Sequence, residues 1–229
     1  MRLISVALWG DDPLYWKGAI ENAKLAQKIF PGWTLRVYAV EGTQGLAELR
    51  SFGADVRELK DKGGIYPMAW RFWPVAEPNL DYVIIRDADS RLNVRDKAAV
   101  DEWIESGRTF HVLRDHPHHA DWPMLGGLWG ARGGAIPDMV RRTARWSRLR
   151  RSRELWARAI GRGPRRRGWR RKLDDMRFLE AEIWPIVRGD MVHHSSVPTQ
   201  HPDAMPFPSH PPYDGFCGEI IRLPDAATP

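Results

Sequence analysis

Residues 82–90 read Tyr82-Val83-Ile84-Ile85-Arg86-Asp87-Ala88-Asp89-Ser90, and their order decides the fold class. The first four favour a short strand buried on both faces, as in a parallel sheet. That strand runs without a break into Asp-Ala-Asp, so two carboxylates leave its end two positions apart. Upstream, residues 4–9 (ISVALW) form a second continuous apolar run, which Gly10-Asp11-Asp12-Pro13 breaks. Residues 15–30 repeat apolar side chains at helical spacing (Ala19, Ala23, Ala26, Ile29), and Pro31-Gly32 stops them. Residues 35–40 and 56–59 read as further strands, with a short helix over 46–52 between them and another helix beginning at 70–73. The alternation predicts right-handed βαβ units, hence an α/β protein with a mostly parallel central sheet flanked by helices. In such sheets ligands bind outside the carboxyl ends of the strands, where Asp87, Asp89 and residues 10–12 are expected.

Downstream, the patterning predicts a helix over 100–105, a strand over 110–113 and a glycine-weakened strand over 124–131. A helix with acids in its first turn follows over 174–183 and is expected to end at Pro185. A Pro-rich loop spans about 198–215, and 216–223 is expected to pack back on the body. The 229 residues, 43% hydrophobic, suffice for one full core, so a single domain over 1–229 is expected. One cysteine, Cys217, excludes an internal disulfide and a Cys-rich zinc site. The apolar start meets Asp11 and Asp12 too soon for a signal peptide, and no later run spans a bilayer, so a cytoplasmic location is expected.

The net charge of +6 is segregated. Residues 141–172 hold fifteen Lys and Arg with one acid, Glu154, leaving the rest of the chain at about −8. The protein is an acidic body with one very basic segment.

Two carboxylates at a strand end suit a hard divalent cation with oxygen ligands, Mn²⁺ or Mg²⁺, able to bridge a diphosphate. The plainer alternative is a pair of turn acids. Arg71 and Arg86 stand close enough in sequence to balance such a diphosphate, although Arg86 is equally placed to pair with a neighbouring carboxylate. His111, His116, His118 and His119 with Asp115 form the densest histidine group. Alone they suggest a metallohydrolase, but no H-E-x-x-H spacing is present.

The ordered motifs resemble GT-A-fold glycosyltransferases of the family 8-like and capsule-associated type. They are Leu8-Trp9-Gly10 with Tyr15 and the helix ending in Phe30-Pro31-Gly32-Trp33, then Trp70-Arg71-Phe72, residues 86–90, residues 111–119 and Gly126-Gly127-Leu128-Trp129-Gly130. Asp175 with Phe178-Leu179, the pair His193-His194, and Phe216 with Gly218-Glu219-Ile220 follow. The basic segment does not match and is expected to be a helical insertion over about 141–172. The resemblance implies a single Rossmann-like GT-A domain moving a sugar from a nucleotide-diphosphate donor, UDP- or GDP-linked, to a saccharide or glycoconjugate acceptor, as in polysaccharide biosynthesis. It implies that Asp87 and Asp89 carry the metal and that His193 completes its shell. Leu8, Trp9, Gly10 and Tyr15 would hold the nucleobase and ribose, and Gly126 and Gly127 would let the donor sugar approach the backbone. Ordinary core packing for Trp9 and Tyr15, and a bulge at the two glycines, are the plainer alternatives. Asp175 would stand beside the reacting sugar, although Met176 replaces the Gln of the family's Asp-Gln pair. Asp174 offers the same role one position earlier, Asp115 and His116 line the acceptor side, and any of the three acids suits a side-chain base.

Two other function classes compete. One is a metal-dependent phosphohydrolase or nuclease built on the Asp and His groups. The other is a polyanion-binding module built on the Arg-rich segment with Trp146, Trp156 and Trp169, whose composition suits nucleic acid. An anionic membrane surface, with the protein peripheral at the inner membrane, fits that segment better as a partner.

Overall fold

The computed structural model describes residues 1–61, 66–159, 174–198, 203–208 and 215–222. Its centre is an eight-stranded sheet of order β3-β2-β1-β4-β6-β5-β7-β8. The strands are β1 (Arg2–Leu8), β2 (Trp33–Val40), β3 (Asp55–Leu59), β4 (Tyr82–Ile85), β5 (Phe110–Arg114), β6 (Trp129–Arg132), β7 (Met191–Ser195) and β8 (Ala204–Met205). Among the described residues only β6 runs against its neighbours, β4 and β5; every other pairing is parallel. This is the mostly parallel, mixed α/β sheet expected. The carboxyl ends of β1, β4 and β5 therefore share one edge.

Alternate residues of each strand feed two layers. Ile4, Val6, Leu8 and Ile84 pack with Ala19, Ala23 and Ala26 of α1 (Pro13–Ile29) and with Trp103 of α3 (Val94–Ser106). On the other face, Leu3, Val83, Ile85 and Trp129 pack with Phe72 and Val75 of the 3-10 helix Pro67–Ala76 and with Phe178 of α5 (Asp174–Phe178).

Helix α1 starts where the chain breaks. Asp12 accepts from Leu14 N at 2.9 Å, and Pro13 follows at a position that needs no amide. Its inner side seats the acidic loop: Asn22 donates to Ser90 O at 2.9 Å and accepts from Leu92 N at 3.1 Å. Gly18 lies so close to Ala88 that a Cβ there would run into its carbonyl oxygen.

Four expectations needed correction. The helix expected at 70–73 begins at Pro67 and winds as a 3-10 helix, which accommodates Pro74 near its end. Helix α3 begins six residues earlier than expected, because the side chain of Asn93 caps it by accepting from Asp96 N at 2.8 Å. The strand over 124–131 shrinks to β6, with Gly126 and Gly127 in a turn before it. Pro185 does not end the helix begun at Asp174; a wider π turn over Leu179–Ile183 leads into α6 (Trp184–Val187), whose first turn accommodates the proline. The basic segment forms α4 (Met139–Ala159), while its residues 160–172, Trp169 among them, lie outside the described residues, as do parts of the Pro-rich stretch. No described helix is long and apolar enough to cross a membrane.

Candidate functional site

Asp87 and Asp89 stand where the sequence puts them, just past β4, both partly accessible. Arg71, from the 3-10 helix, reaches between two carboxylates. It pairs closely with Asp87 and donates to Asp175 Oδ2 at 2.8 Å. Arg71 and Asp175 are buried, with the Asp175 side chain 9% exposed, whereas that of Asp87 is 40% exposed. Burial pushes the Asp175 carboxyl above its ordinary range; Arg71 pulls against this and the charge of Asp87 adds to it. Asp87, Arg71 and Asp175 thus form one chain of charges leading inward from the rim.

Two glycines make this approach feasible. A Cβ on Gly127 would collide with the Asp87 carboxylate and lie 2.9 Å from its backbone N, and one on Gly126 would collide with Asp175 and Arg71. Neither has a positive φ, so the requirement is closeness rather than backbone hand. The glycine signal in the sequence marks this turn.

Tyr15 lies at the same rim. Burial raises its hydroxyl, and the charges of Asp89, Asp12 and Asp87 raise it further. Its ring stacks on Trp9 at 6.3 Å, with Trp9 and Gly10 exposed. Leu8 differs: it is sealed in the core at the end of β1 and offers a ligand no surface.

The structure does not bring His193 to the acidic pair. Through the register, Ile85, Trp129, Val112 and His193 lie in one row across β4, β6, β5 and β7. Three strand spacings, about 14 Å, separate the strand of the acids from that of the histidine. His193 is buried and its ring nitrogens face the Arg114 guanidinium. That guanidinium also donates to the carbonyls of Trp122, at 3.2 and 3.1 Å, and Pro123. Burial lowers Arg114 to about 10. Among the described residues no group of three or more His, Cys, Asp or Glu side chains is placed to hold a metal ion.

Several other candidates are committed elsewhere. Arg86 is buried and forks onto Asp96 at 2.7 and 2.6 Å, with further bonds to the carbonyls of Ile85 and Trp129. It fastens α3 to the end of β4, the second of the two roles expected. Asp174 accepts from Trp146 Nε1 at 3.3 Å and Arg150 at 2.8 Å, which ties α5 to α4. Asp115 takes a two-pronged pair from Arg95, at 2.7 and 2.8 Å, and the amide of Cys217 at 3.0 Å. Burial pushes its carboxyl up, but the bonds from Arg95, Cys217 and Ser196 outweigh this and hold it below the ordinary range, which weakens it as a base.

The histidine group divides. His111 is buried against Trp103 and bonds to His194, whose other nitrogen meets Glu102, each at 2.9 Å. His116 stacks on Phe216 at 4.4 Å between ring centres, and His119 accepts from the Asp115 amide. A segment the sequence reading placed only as packing on the body turns out to border the acids. Residues 215–222 bond to Asp115 through Cys217 N and to the Asp89 carbonyl through Ile221 N, at 2.9 Å. Nothing in local periodicity signals these long-range bonds; the Phe216 to Ile220 motif was the available hint.

Two carboxylates fit a Mg²⁺- or Mn²⁺-type ion, since such ions commonly use one or two protein carboxylates and complete their shell with substrate phosphates and water. The glycine cradle that holds Asp87 at the rim supports that fit.

No family model matches the chain, and no curated protein matches it. Among solved structures, the chain is similar to a glycosyltransferase involved in the glycosylation of the major capsid of PBCV-1. The identity is 13% and the TM-score 0.47, over 85% of this chain and 81% of that one.

Proposed function

We propose that this chain is a metal-dependent glycosyltransferase that moves a sugar from a nucleotide-diphosphate donor, UDP- or GDP-linked, to a saccharide or glycoconjugate acceptor. The observation that carries the reading is the Asp87–Arg71–Asp175 chain beside two glycines that leave no room for a side chain. Asp87 and Asp89 would hold Mn²⁺ or Mg²⁺, which supplies positive charge to a leaving diphosphate. Trp9 and Tyr15 offer a stacked aromatic rim for a nucleobase. Arg71 fixes Asp87 and Asp175 relative to each other, and the buried turn at Gly126 and Gly127 lets these side chains, rather than a donor sugar, close on its backbone. Asp175 stands at the inner end, where a buried carboxylate acts strongly on charge developing in a transition state.

The hydrolase alternative requires the histidines beside the acids. His111 joins Glu102 and His194 instead, and His116 and His119 join Phe216.

A thermal-shift series with Mn²⁺ and UDP, GDP or CMP tests the reading, since a ligand of the folded state raises apparent stability. Stabilisation by a nucleoside diphosphate that requires the metal is expected. Equal shifts with and without Mn²⁺, or none with any nucleotide, would reject it.

A further inference from the structure

Helix α4 has two differently built sides. At 3.6 residues per turn, Thr143, Trp146, Ser147 and Arg150 share one side, and each is tied to the body. Thr143 accepts from Trp73 Nε1 at 3.1 Å, and Ser147 accepts from Tyr66 N at 3.4 Å. Trp146 meets Phe178 edge-on at 5.8 Å, and it holds Asp174 together with Arg150. The opposite side carries Arg141, Arg145, Arg148, Leu149 and Ser152, all exposed. Arg141 and Arg145 side chains are 80% and 57% exposed, and Leu149 is 50% exposed.

No acid occurs in the sequence from Met139 to Arg153. Asp138 pairs with Arg141 and Arg142, and Glu182 with Arg142 and Arg145; Arg141 and Arg145 are each more exposed than the acid they pair with. An open hollow of about 390 Å³ lies among Asp138, Arg141, Arg142 and Arg145. Arginine forks around such a hollow match phosphate oxygens.

We propose that the outer side of α4 is a docking surface for an anionic phospholipid bilayer, with headgroup phosphates received among Arg141, Arg145 and Arg148. Two observations favour a bilayer over nucleic acid. Strand binding needs exposed aromatic platforms on which bases stack, and Trp146, the tryptophan of α4 whose side chain is described, is turned inward against Phe178. What stands out beside the arginines is aliphatic, Leu149, which suits shallow insertion at a membrane interface. The surface requires only the folded helix and does not rest on sugar transfer.

The test is co-sedimentation of the full chain with vesicles of phosphatidylcholine alone or mixed with phosphatidylglycerol. Binding to the mixed vesicles only, weakening with salt, is expected. The variant Arg141→Ser/Arg145→Ser/Arg148→Ser should bind on the order of a hundredfold more weakly, given about 1 kcal/mol per cation near such a surface. Its melting should match the parent's, because exposed ion pairs add little stability. Leu149→Ser, which removes no charge, should weaken binding without changing its salt dependence. Absence of pelleting with mixed vesicles at low salt would overturn the proposal. So would unchanged binding of the triple variant, or preference for a single-stranded oligonucleotide over the vesicles in direct competition.

Discussion

Replacing Arg71 with Met removes the one cation that spans Asp87 and Asp175 while keeping much of the side-chain volume. The two losses are unequal. Asp87 is 40% exposed, so water screens it and its lost pair counts for little. Asp175 is 9% exposed, and stripping its partner leaves a nearly buried charge. Breaking a buried pair from one side costs about 3–5 kcal/mol, which corresponds to a fall in Tm of roughly 6–20 °C in a chain of this length. Part of that cost is recoverable: Arg71→Met/Asp175→Asn leaves no unpaired buried charge and should be more stable than Arg71→Met alone. Urea unfolding of parent, both single variants and the double variant at pH 7 closes the cycle. Because the lost charge sits beside Asp87, added Mn²⁺ should raise the Tm of Arg71→Met more than that of the parent. Equal stabilities of Arg71→Met and the double variant, within about 0.5 kcal/mol, would refute the assignment of the cost to Asp175.

Asp87→Asn and Asp89→Asn should each remove Mn²⁺-dependent nucleoside diphosphate binding in a calorimetric titration while leaving the melting curve largely unchanged. His193→Ala should leave Mn²⁺ affinity intact and lower stability, because His193 is engaged by Arg114 three strands from the acids; a large loss of metal affinity would mean that the chain closes on the metal in a way the sheet order does not suggest. Burial holds His111 well below its ordinary 6.5 and His194 below it. The unfolded chain thus takes up protons first as pH falls, so stability complete above about 6.5 is lost below it. Carboxylates with lowered values, such as Asp115 and Asp138, lose their contribution only below about 3.8, in a separate window. Urea midpoints at pH 7.5 and 5.5 should therefore differ in the parent and differ less in His111→Phe.

The central sheet was legible because β1 and β4 are continuous apolar runs and α1 carries its own stop and start residues, Asp12-Pro13 and Pro31-Gly32. The placement of the acids at the end of β4 followed from that. β7 was not legible as a strand, since Met191-Val192-His193-His194-Ser195 looks polar; its two histidines are buried only because Arg114 on one side and His111 with Glu102 on the other supply partners. Likewise no period connects Arg71 to Asp175, 104 positions away. The turn at Gly126 and Gly127 was read as strand because glycine in a sequence reports closeness without saying to what.

Residues 215–222 follow every strand in chain order, yet Ile221 N holds the carbonyl of Asp89. During synthesis at about 5–20 residues per second, β7 is made a second or more before this segment. The loop bearing the acids is therefore the part whose clasp is made last. A chain cut between β8 and residue 215 would keep all eight strands of the sheet yet lack the bond that holds the Asp89 carbonyl, and its acidic loop would be left without that clasp.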